Sequence, residues 1–406
     1  MVLSSLVIEK KTLIYRVSLT LFMVALIRFV SLIPISGIDQ NSLYPELKNS
    51  QILNFLSSFS QGNFFVLNVF ALGILPSIHA SIIIQLMTSV LPPLRRLQKE
   101  EGKVGRQKLL RIVRYLTATL AFCYGVLITF YLKPFVFGWT ILNAIELAMT
   151  LTVGALILLW FSEIITEQGF GNGTSLIIFV NISSSLPTVW NNFNYLDSIG
   201  TKLLFLGICV IGIIAIITVQ SSSINVDVVS VNTLILSKLS SRSYIPLRLT
   251  PSGILPLILT SVILNGIAAI LSQFYSNLRE NTIFNVFYLL MYFLLTLFFG
   301  YVYAKKSINP TEVSGNMKER GFTLAQVNPG SATIQFLQEV LNRISIFGGF
   351  LLSSVITLPI LLVYLNPNLN RLLGLGTTAL FILVGVVVDL ARQLETYEIV
   401  DSYDGI

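Results

Sequence analysis

The sequence predicts an all-α polytopic membrane protein with ten transmembrane helices, and its composition is the first reason. Hydrophobic residues make up 54% of the 406 residues and charged residues only 11%, with a mean hydropathy of +0.80. Soluble domains carry charge on roughly a quarter of their residues. The second reason is the recurrence of apolar runs of roughly twenty residues, each long enough to cross ~30 Å of hydrocarbon. A chain of this composition needs a bilayer as its solvent.

The ten predicted spans follow from that length criterion. We place them at 15–34, 70–91, 113–132, 142–164, 174–188, 201–220, 253–275, 284–303, 344–364 and 372–391. The first lacks a small-residue cleavage site, so we expect a retained helix rather than a leader. The fifth is short and polar and is predicted to end at Pro187. Such a helix suits a membrane if it faces a polar cavity rather than lipid.

The distribution of basic residues predicts the orientation. With the N-terminus inside, the inner loops and tails hold 20 of the 26 Lys and Arg residues, and the outer loops hold 5. Because cytoplasmic loops of membrane proteins are enriched in Lys and Arg, this asymmetry places both termini in the cytoplasm. It also accounts for the net charge of +7 without a nucleic-acid partner.

Three of the predicted cytoplasmic loops are long: 92–111, 221–251 and 304–343. The first is densely basic, the second is mostly polar or β-branched, and the third mixes turn signals with a helical pattern. Loops of this length between membrane helices serve more often as docking surfaces than as connectors. These three loops are therefore the predicted binding surface for a cytoplasmic partner.

A short internal repeat predicts the arrangement of the helices. Residues 73–78 read GILPSI at the start of the second span, and residues 253–258 read GILPLI at the start of the seventh. These are the second helices of two five-helix halves, which we divide at 1–188 and 189–406. Because each half has an odd number of spans, the halves must be inverted relative to one another, as in many transport proteins.

The sequence offers no chemistry for catalysis or for a cofactor. Cys123, Cys209 and the single histidine, His79, have no metal-ligand spacing, and we expect His79 to be a packed or hydrogen-bonded helix residue. No HExxH, GxSxG or paired-aspartate motif is present, so we predict neither an enzyme nor a metal or other cofactor. A small-molecule permease is a rival class, but it needs ionisable groups at the midplane. Apart from Arg28 and His79, such groups lie near predicted helix ends.

A family resemblance is carried by four segments: 70–114 (opening FALGILPS), 160–187 (containing GFGNGTS), 308–343 (opening INPTEVSG) and the C-terminal GVVVDLARQLETYEIVDSYDGI. In that order they resemble the second helix and following loop, the Gly169–Gly173 turn, the loop before helix nine, and the last helix and tail of the SecY family of protein-conducting channels. The resemblance covers nearly the whole chain.

What the resemblance implies is a channel that passes unfolded polypeptide outward between two halves and opens sideways to lipid. A ring of aliphatic side chains narrows the central pore, and a short plug closes it from outside. The ring positions fall on Ile78, Ile82, Ile258 and Ile382, with either Thr174 or Ile178 from helix five. The plug falls on Gln61, Gly62, Asn63, Phe64, Phe65, Val66, Leu67 and Asn68.

The resemblance also implies partners, and two departures from the family pattern bear on them. The residues expected to meet a motor ATPase are Arg95, Arg96, Lys99, Lys103, Arg106, Arg242, Arg248, Lys318, Arg320 and Asn328. Asn328 stands where the family usually has an arginine that contacts the motor and ribosome, and Asp227 lies in a loop that is normally more basic.

These departures favour an accessory SecY paralogue of Gram-positive bacteria, which works with an accessory SecA motor on serine-rich glycosylated adhesins. A general housekeeping SecY is the alternative. In either case the resemblance implies a multi-pass protein of the cell membrane, unfolded preproteins as substrate, and one or two single-span subunits that are SecE-like or SecG-like.

Overall fold

Helices form most of the chain that the computed structural model describes, namely residues 2–40, 42, 67–99, 102–194, 199–230, 243–251, 253, 256–261, 263–264, 267, 282–319, 321–324, 327–365 and 382–395. They are α1 Val2–Val30, α2 Leu75–Val90, α3 Pro92–Lys99, α4 Gly102–Tyr131, α5 Ile141–Gln168, α6 Gly173–Asn194, α7 Ile199–Ser221, α8 Thr282–Ser307, α9 Pro310–Glu319 and α10 Ser331–Leu365. Backbone at 256–261 and at 382–395 is also helical.

Eight of the ten predicted spans fall on these helices. Within the described residues, five segments are long and apolar enough to cross a membrane: Gln107–Tyr131, Ile141–Gln168, Lys202–Ser221, Val286–Glu319 and Ser331–Leu358. The spans predicted at 253–275 and 372–391 are helical at 256–261 and 382–391, and much of the rest of each lies outside the described residues.

The predicted end of the fifth span at Pro187 is wrong. Helix α6 continues through Pro187 to Asn194. Proline removes one backbone donor from the helix, but membrane helices tolerate this when nearby hydroxyl groups or neighbouring helices satisfy the released groups. A proline after a polar run is therefore a weaker stop signal here than in a soluble helix.

The described chain forms two compact units. One comprises Met1–Thr188 with Asp389–Ile406, and the other comprises Val189–Val388. The core of the first unit brings together the segment after α1, the segment before α2, α4 with the residue that follows it, and α5. Its buried members include Ile35, Leu72, Ala121, Leu132 and Leu151. The core of the second unit joins α7, α8 and α10 through Ile216, Tyr292, Leu352 and Ile356, together with Leu257 and Val384.

A three-stranded antiparallel sheet belongs to the second unit. Strand β1 (Ser223–Ser230) pairs on one side with β2 (Ser243–Arg248) and on the other with β3 (Phe322–Leu324). The sheet thus joins two loops that are far apart in the sequence, 221–251 and 304–343, since Val228 pairs with Leu324. Pro246 lies in the edge strand β2, where the absence of an N–H group blocks further strand pairing.

The two GILP sequences begin with the same backbone turn. Gly73 and Gly253 both have φ of 59°, in the left-handed region that glycine adopts without steric cost. The Gly73 N–H donates to the Phe70 carbonyl at 2.8 Å, and the Gly253 N–H donates to the Thr250 carbonyl at 3.1 Å. The repeat seen in the sequence is therefore a repeat of conformation, one copy in each unit.

Candidate functional site

The predicted ring residues of α2 are Ile78 and Ile82. They lie one helical turn apart, so they share a face of the helix, and each is only 4% exposed. The turn at Gly73 fixes where this helix begins, and Pro76 occupies its first turn, where the missing N–H leaves no bond unmade. The local sequence therefore places two adjacent isoleucines at a defined depth along α2.

The two predicted alternatives for the ring position on α6, Thr174 and Ile178, differ in their contacts. The Thr174 hydroxyl lies 2.9 Å from the Ser162 hydroxyl of α5 and is hydrogen-bonded to it. Ile178, one turn later, has no polar group and is 1% exposed. Because the Thr174 side chain is already bonded to the neighbouring helix, Ile178 is the better candidate for an apolar ring.

The glycine turn before α6 has a packing reason. An added Cβ at Gly173 would lie 2.0 Å from the Ser162 carbonyl oxygen, so only glycine lets the start of α6 approach the end of α5 so closely. The Gly173 N–H donates to the Thr166 hydroxyl at 2.9 Å. Gly171 has φ of 90°, which favours glycine. This turn is structural, which agrees with its lack of a nucleotide-binding lysine.

The second unit contributes Ile258 and Ile382, which are 5% and 3% exposed. Both lie on helical backbone, within 256–261 and 382–395. The hydroxyl groups beside Ile258 bond to their own helix: Thr260 donates to the Pro256 carbonyl and Ser261 to the Ile258 carbonyl, each at 2.8 Å. Those hydroxyls therefore do not offer free donors to a passing chain.

The predicted plug lies mostly outside the described residues, and only Leu67 and Asn68 can be placed. Both are held by the segment that follows α1. The Gln40 side-chain amide accepts from the Leu67 N–H at 2.9 Å and donates to the Leu67 carbonyl at 3.3 Å, and the Ile35 N–H donates to the same carbonyl at 3.0 Å. We call these contacts the Leu67 anchor. They fix the point at which the predicted plug joins α2.

The backbone that follows this anchor packs against a glycine of α5. An added Cβ at Gly154 would lie 2.0 Å from the carbonyl oxygen of Val69, so the backbone after Asn68 rests directly on the helix. Asn68 is 1% exposed, and its amide donates to the Ser31 carbonyl at 2.7 Å. The sequence signal for this arrangement was weak, because neither Gln40 nor Gly154 belongs to a recognisable motif.

Arg28 lies in the first predicted span and bonds to α6. Its guanidinium donates to the backbone carbonyl of Val180, two residues beyond Ile178. The Ser31 hydroxyl donates to the Arg28 carbonyl at 2.7 Å. Hydrogen bonds thus run from Asn68 through the end of α1 to the helix that carries Ile178.

Two further ionisable groups of the first unit are accounted for by neighbouring side chains. The Arg114 guanidinium donates to both carboxylate oxygens of Glu163, at 2.9 and 2.8 Å, and so joins α4 to α5. The His79 ring nitrogen Nδ1 lies 2.9 Å from the Tyr124 hydroxyl, as expected for a hydrogen-bonded helix histidine. Among the described residues, no group of three or more His, Cys, Asp or Glu side chains could hold a metal ion.

The predicted motor-docking residues fall on two regions. Arg95, Arg96 and Lys99 belong to α3, and Lys103 and Arg106 belong to α4, while Arg242 and Arg320 lie outside the described residues. Arg248, Lys318 and Asn328 are exposed residues of the sheet, of α9 and of the turn before α10. The structure thus groups those three in one unit, although the sequence places Arg248 in one loop and Lys318 and Asn328 in another.

One face of the β1–β2 hairpin is exposed and the other is packed. The cross-strand pairs Ser223–Arg248, Asn225–Pro246 and Asp227–Tyr244 consist of exposed residues. On the opposite face, Val228 shares a core with Met317, Leu324 and Leu337. The exposed face combines an aromatic ring with charges of both signs, which is a composition suited to binding another protein.

Comparison with known proteins identifies relatives over nearly the whole chain. The family model SecY matches residues 68–391. The "Protein translocase subunit SecY" of Guillardia theta is 38% identical over 98% of this chain and 98% of its own length. The protein of the same name from Synechocystis sp. is 35% identical over 96% of this chain and 93% of its own length.

A solved structure supports the fold independently. It is a SecY structure concerned with how the plug domain stabilises the closed state of the translocation channel and maintains a membrane seal. It superposes with a TM-score of 0.68 at 14% identity, over 96% of this chain and 93% of that one. The ten-helix membrane fold predicted from the sequence is therefore confirmed, and the small three-stranded sheet adds to it.

Proposed function

The chain belongs to the SecY family, and on that premise we propose that it is the central channel subunit of a general protein translocase. It is a multi-pass membrane protein and a channel subunit, not an enzyme. The observation that carries the proposal is the 38% identity to a translocase subunit across 98% of both chains.

The chemistry of the candidate ring supports transport of unfolded polypeptide. Ile78, Ile82, Ile178, Ile258 and Ile382 are all aliphatic and buried. A channel for chains of any sequence must bind none of them tightly, because strong binding traps the substrate. We therefore assign these five side chains to the ring. We do not assign Thr174 to it, because its hydroxyl is hydrogen-bonded to Ser162.

The plug and the orientation are parts of the same proposal. The segment from Gln61 to Asn68 acts as the plug, with the Leu67 anchor as its fixed end. Both termini face the side of the membrane on which preproteins are made, as the loop charges predict. Small single-span subunits resembling SecE and SecG complete the channel.

The docking partner is a motor ATPase that meets the sheet and α9. The exposed pairs Ser223–Arg248 and Asp227–Tyr244, with Lys318 and Asn328 nearby in sequence to β3, provide the surface. The first unit contributes further basic residues to the proposed motor contact: Arg95, Arg96, Lys99, Lys103 and Arg106 of α3 and α4. Energy for transport comes from this partner.

The relatives favour a general translocase over an accessory one. Both relatives described above are translocase SecY subunits, from Guillardia theta and Synechocystis sp., and neither is described as an accessory paralogue. The observation that favours the accessory alternative is local: Asn328 replaces the usual arginine, and Asp227 is exposed on the sheet. These two residues alter the docking surface without altering the candidate ring.

Reconstitution with two motors tests the proposal. The channel is placed in proteoliposomes with either a housekeeping SecA or an accessory SecA, and protection of a non-glycosylated secretory precursor from protease is measured. A general channel imports that precursor with the housekeeping motor. Import only with the accessory motor would support the accessory alternative, and import with neither motor would contradict a translocase.

A further inference from the structure

Helix α10 carries two packing surfaces along a single stripe. Leu337, Leu341 and Ile344 share cores with the sheet. Leu352 and Ile356 share a core with Leu257 and Leu264. These two leucines lie before and after the candidate ring residue Ile258 in the sequence. Residues spaced by three and four lie on one face of a helix. The same face of α10 therefore holds the sheet at one end and the helix of Ile258 at the other.

Gly348 lies on this stripe between the two surfaces. An added Cβ would lie 1.9 Å from the carbonyl oxygen of Leu249 and 2.8 Å from its carbonyl carbon. The backbone of Leu249 therefore rests directly on the backbone of α10. Glycine inside a helix costs about 0.5–1 kcal/mol relative to alanine, and this close approach gives Gly348 a structural reason to be there.

Leu249 is the residue at which the chain leaves the sheet for the helix of Ile258. Its N–H donates to the Ser222 carbonyl at 3.1 Å, which closes the base of the hairpin. Two residues later the Pro251 carbonyl accepts from the Ser307 hydroxyl of α8 at 3.1 Å. The Gly253 turn follows, and the backbone is helical at 256–261. The connection from sheet to helix is short and is held at both Leu249 and Pro251.

We propose that Gly348 is a positioning residue, whose contact with Leu249 couples the docking sheet to the helix that carries Ile258. The inference rests on the proposed function, since it takes the sheet as the docking surface and Ile258 as a ring residue. The linker at Leu249–Pro251 cannot move away from α10 independently of the sheet. Movement of the sheet on α10 is therefore transmitted to the helix that carries Ile258. A Cβ at residue 348 forces the linker away from α10 by more than about an ångström. Movement of the sheet is then no longer coupled to movement of the helix that carries Ile258.

The test compares Gly348→Ala with Gly349→Ala in the same helix. At Gly349 the nearest atom to an added Cβ is the Leu297 carbonyl oxygen at 3.4 Å, so alanine fits there with ordinary contacts. Each variant is reconstituted with housekeeping SecA, and two quantities are measured: the SecA dissociation constant and the rate of precursor import. Ser307→Ala, which removes the bond to Pro251 without adding volume, is the milder second variant.

With Gly348→Ala we expect SecA affinity within about twofold of wild type and import lowered about tenfold, a typical size for lost coupling. Gly349→Ala should change neither quantity by more than about twofold, and Ser307→Ala should lower import by roughly two- to threefold with affinity unchanged.

Unchanged import in both Gly348→Ala and Ser307→Ala would overturn the proposal, and so would a parallel loss of affinity and import. If Gly348→Ala fails to insert, the result for Ser307→Ala decides. Failure of the wild-type channel to import with SecA would instead contradict the proposed function.

Discussion

The guanidinium of Arg28 donates a hydrogen bond to the backbone carbonyl of Val180. An arginine within a membrane span is costly unless its donors are satisfied, and here it joins α1 to the helix that carries Ile178. The Ser31 and Asn68 contacts continue from the same end of α1 to the Leu67 anchor. Arg28, the charged residue that the sequence places in the interior of the first predicted span, thus has a structural role in the first unit.

Replacing Arg28 with alanine should destabilise the channel. A hydrogen bond from a charged donor contributes about 1.5–3 kcal/mol, and Arg28→Ala removes it together with the packing of the side-chain stem. Thermal unfolding of the detergent-solubilised protein measures the change. Arg111→Ala is the control, because Arg111 is an exposed residue of α4 and its loss should matter by less than about 0.5 kcal/mol. Equal effects of the two substitutions would show that the Arg28 contact contributes little.

Loss of the Gln40 amide should make the resting channel leak. Gln40→Leu keeps most of the volume but removes the acceptor for the Leu67 N–H and a donor to its carbonyl. The Ile35 N–H still bonds to Leu67, so the anchor is weakened rather than abolished, by about 1 kcal/mol for each neutral hydrogen bond. Ion conductance of the idle channel in a planar bilayer should rise several-fold.

The exposed neighbour Ser42 supplies the control for this measurement. Ser42→Ala removes only an exposed bond to the Asp39 carbonyl, so conductance should stay at the wild-type level. If the idle Gln40→Leu channel conducts ions no more than the wild-type channel does, the Leu67 anchor does not maintain the seal.

Alanine should have opposite effects at two glycines of the second unit that both have open space for a Cβ. Gly253 has φ of 59°, so Gly253→Ala should destabilise the protein by about 1–2 kcal/mol through backbone strain alone. Gly315 lies inside α9, and Gly315→Ala should stabilise that helix by about 0.5–1 kcal/mol. Denaturant unfolding compares the free energies of unfolding of the two variants. A gain of stability from Gly253→Ala would contradict the left-handed turn that the two GILP copies share.

An arginine at residue 328 should strengthen docking of the general motor. Asn328 is exposed, and its carbonyl rather than its side chain accepts the Thr333 hydroxyl, so Asn328→Arg adds charge without disturbing packing. The dissociation constant for SecA should fall by about tenfold, and the gain should shrink at high salt. Ser331→Arg adds the same charge at the exposed first residue of α10 and controls for unspecific attraction. Equal gains from both variants would rule out a specific contact at residue 328.

The membrane architecture could be predicted because its determinants are local. A run of apolar residues sets each helix, and the charges beside it set the predicted orientation. The sequence predicts a packed or hydrogen-bonded helix residue at His79, and its hydrogen bond with Tyr124 confirms this. The GILP repeat was visible in sequence because a left-handed turn needs glycine at the same point in each copy.

The sheet and the anchor could not be predicted, because each depends on residues far apart in the chain. The valines of strand β1 alternate with polar residues, but the sequence does not show their partner. Strand β3 is only three residues long and lies in another loop. Gln40 carries no signal in sequence, since its role is to pair with the backbone of Leu67. Pro187 does not end its helix, because the energetic cost of a proline inside a helix depends on whether neighbouring groups satisfy the released backbone carbonyl.

The most direct test of a pore lined by these isoleucines is site-specific crosslinking of a stalled preprotein to single cysteines in the channel. Cysteines replace Ile78, Ile178, Ile258 and Ile382 one at a time, with Thr174 as the alternative ring position. Leu203 and Ile211, exposed residues of the apolar helix α7, serve as lipid-facing controls. We predict strong crosslinks at the four isoleucine positions, weak ones at Thr174 and none on α7. Crosslinks on α7 that equal those at Ile78 and Ile258 would contradict the assignment of the pore.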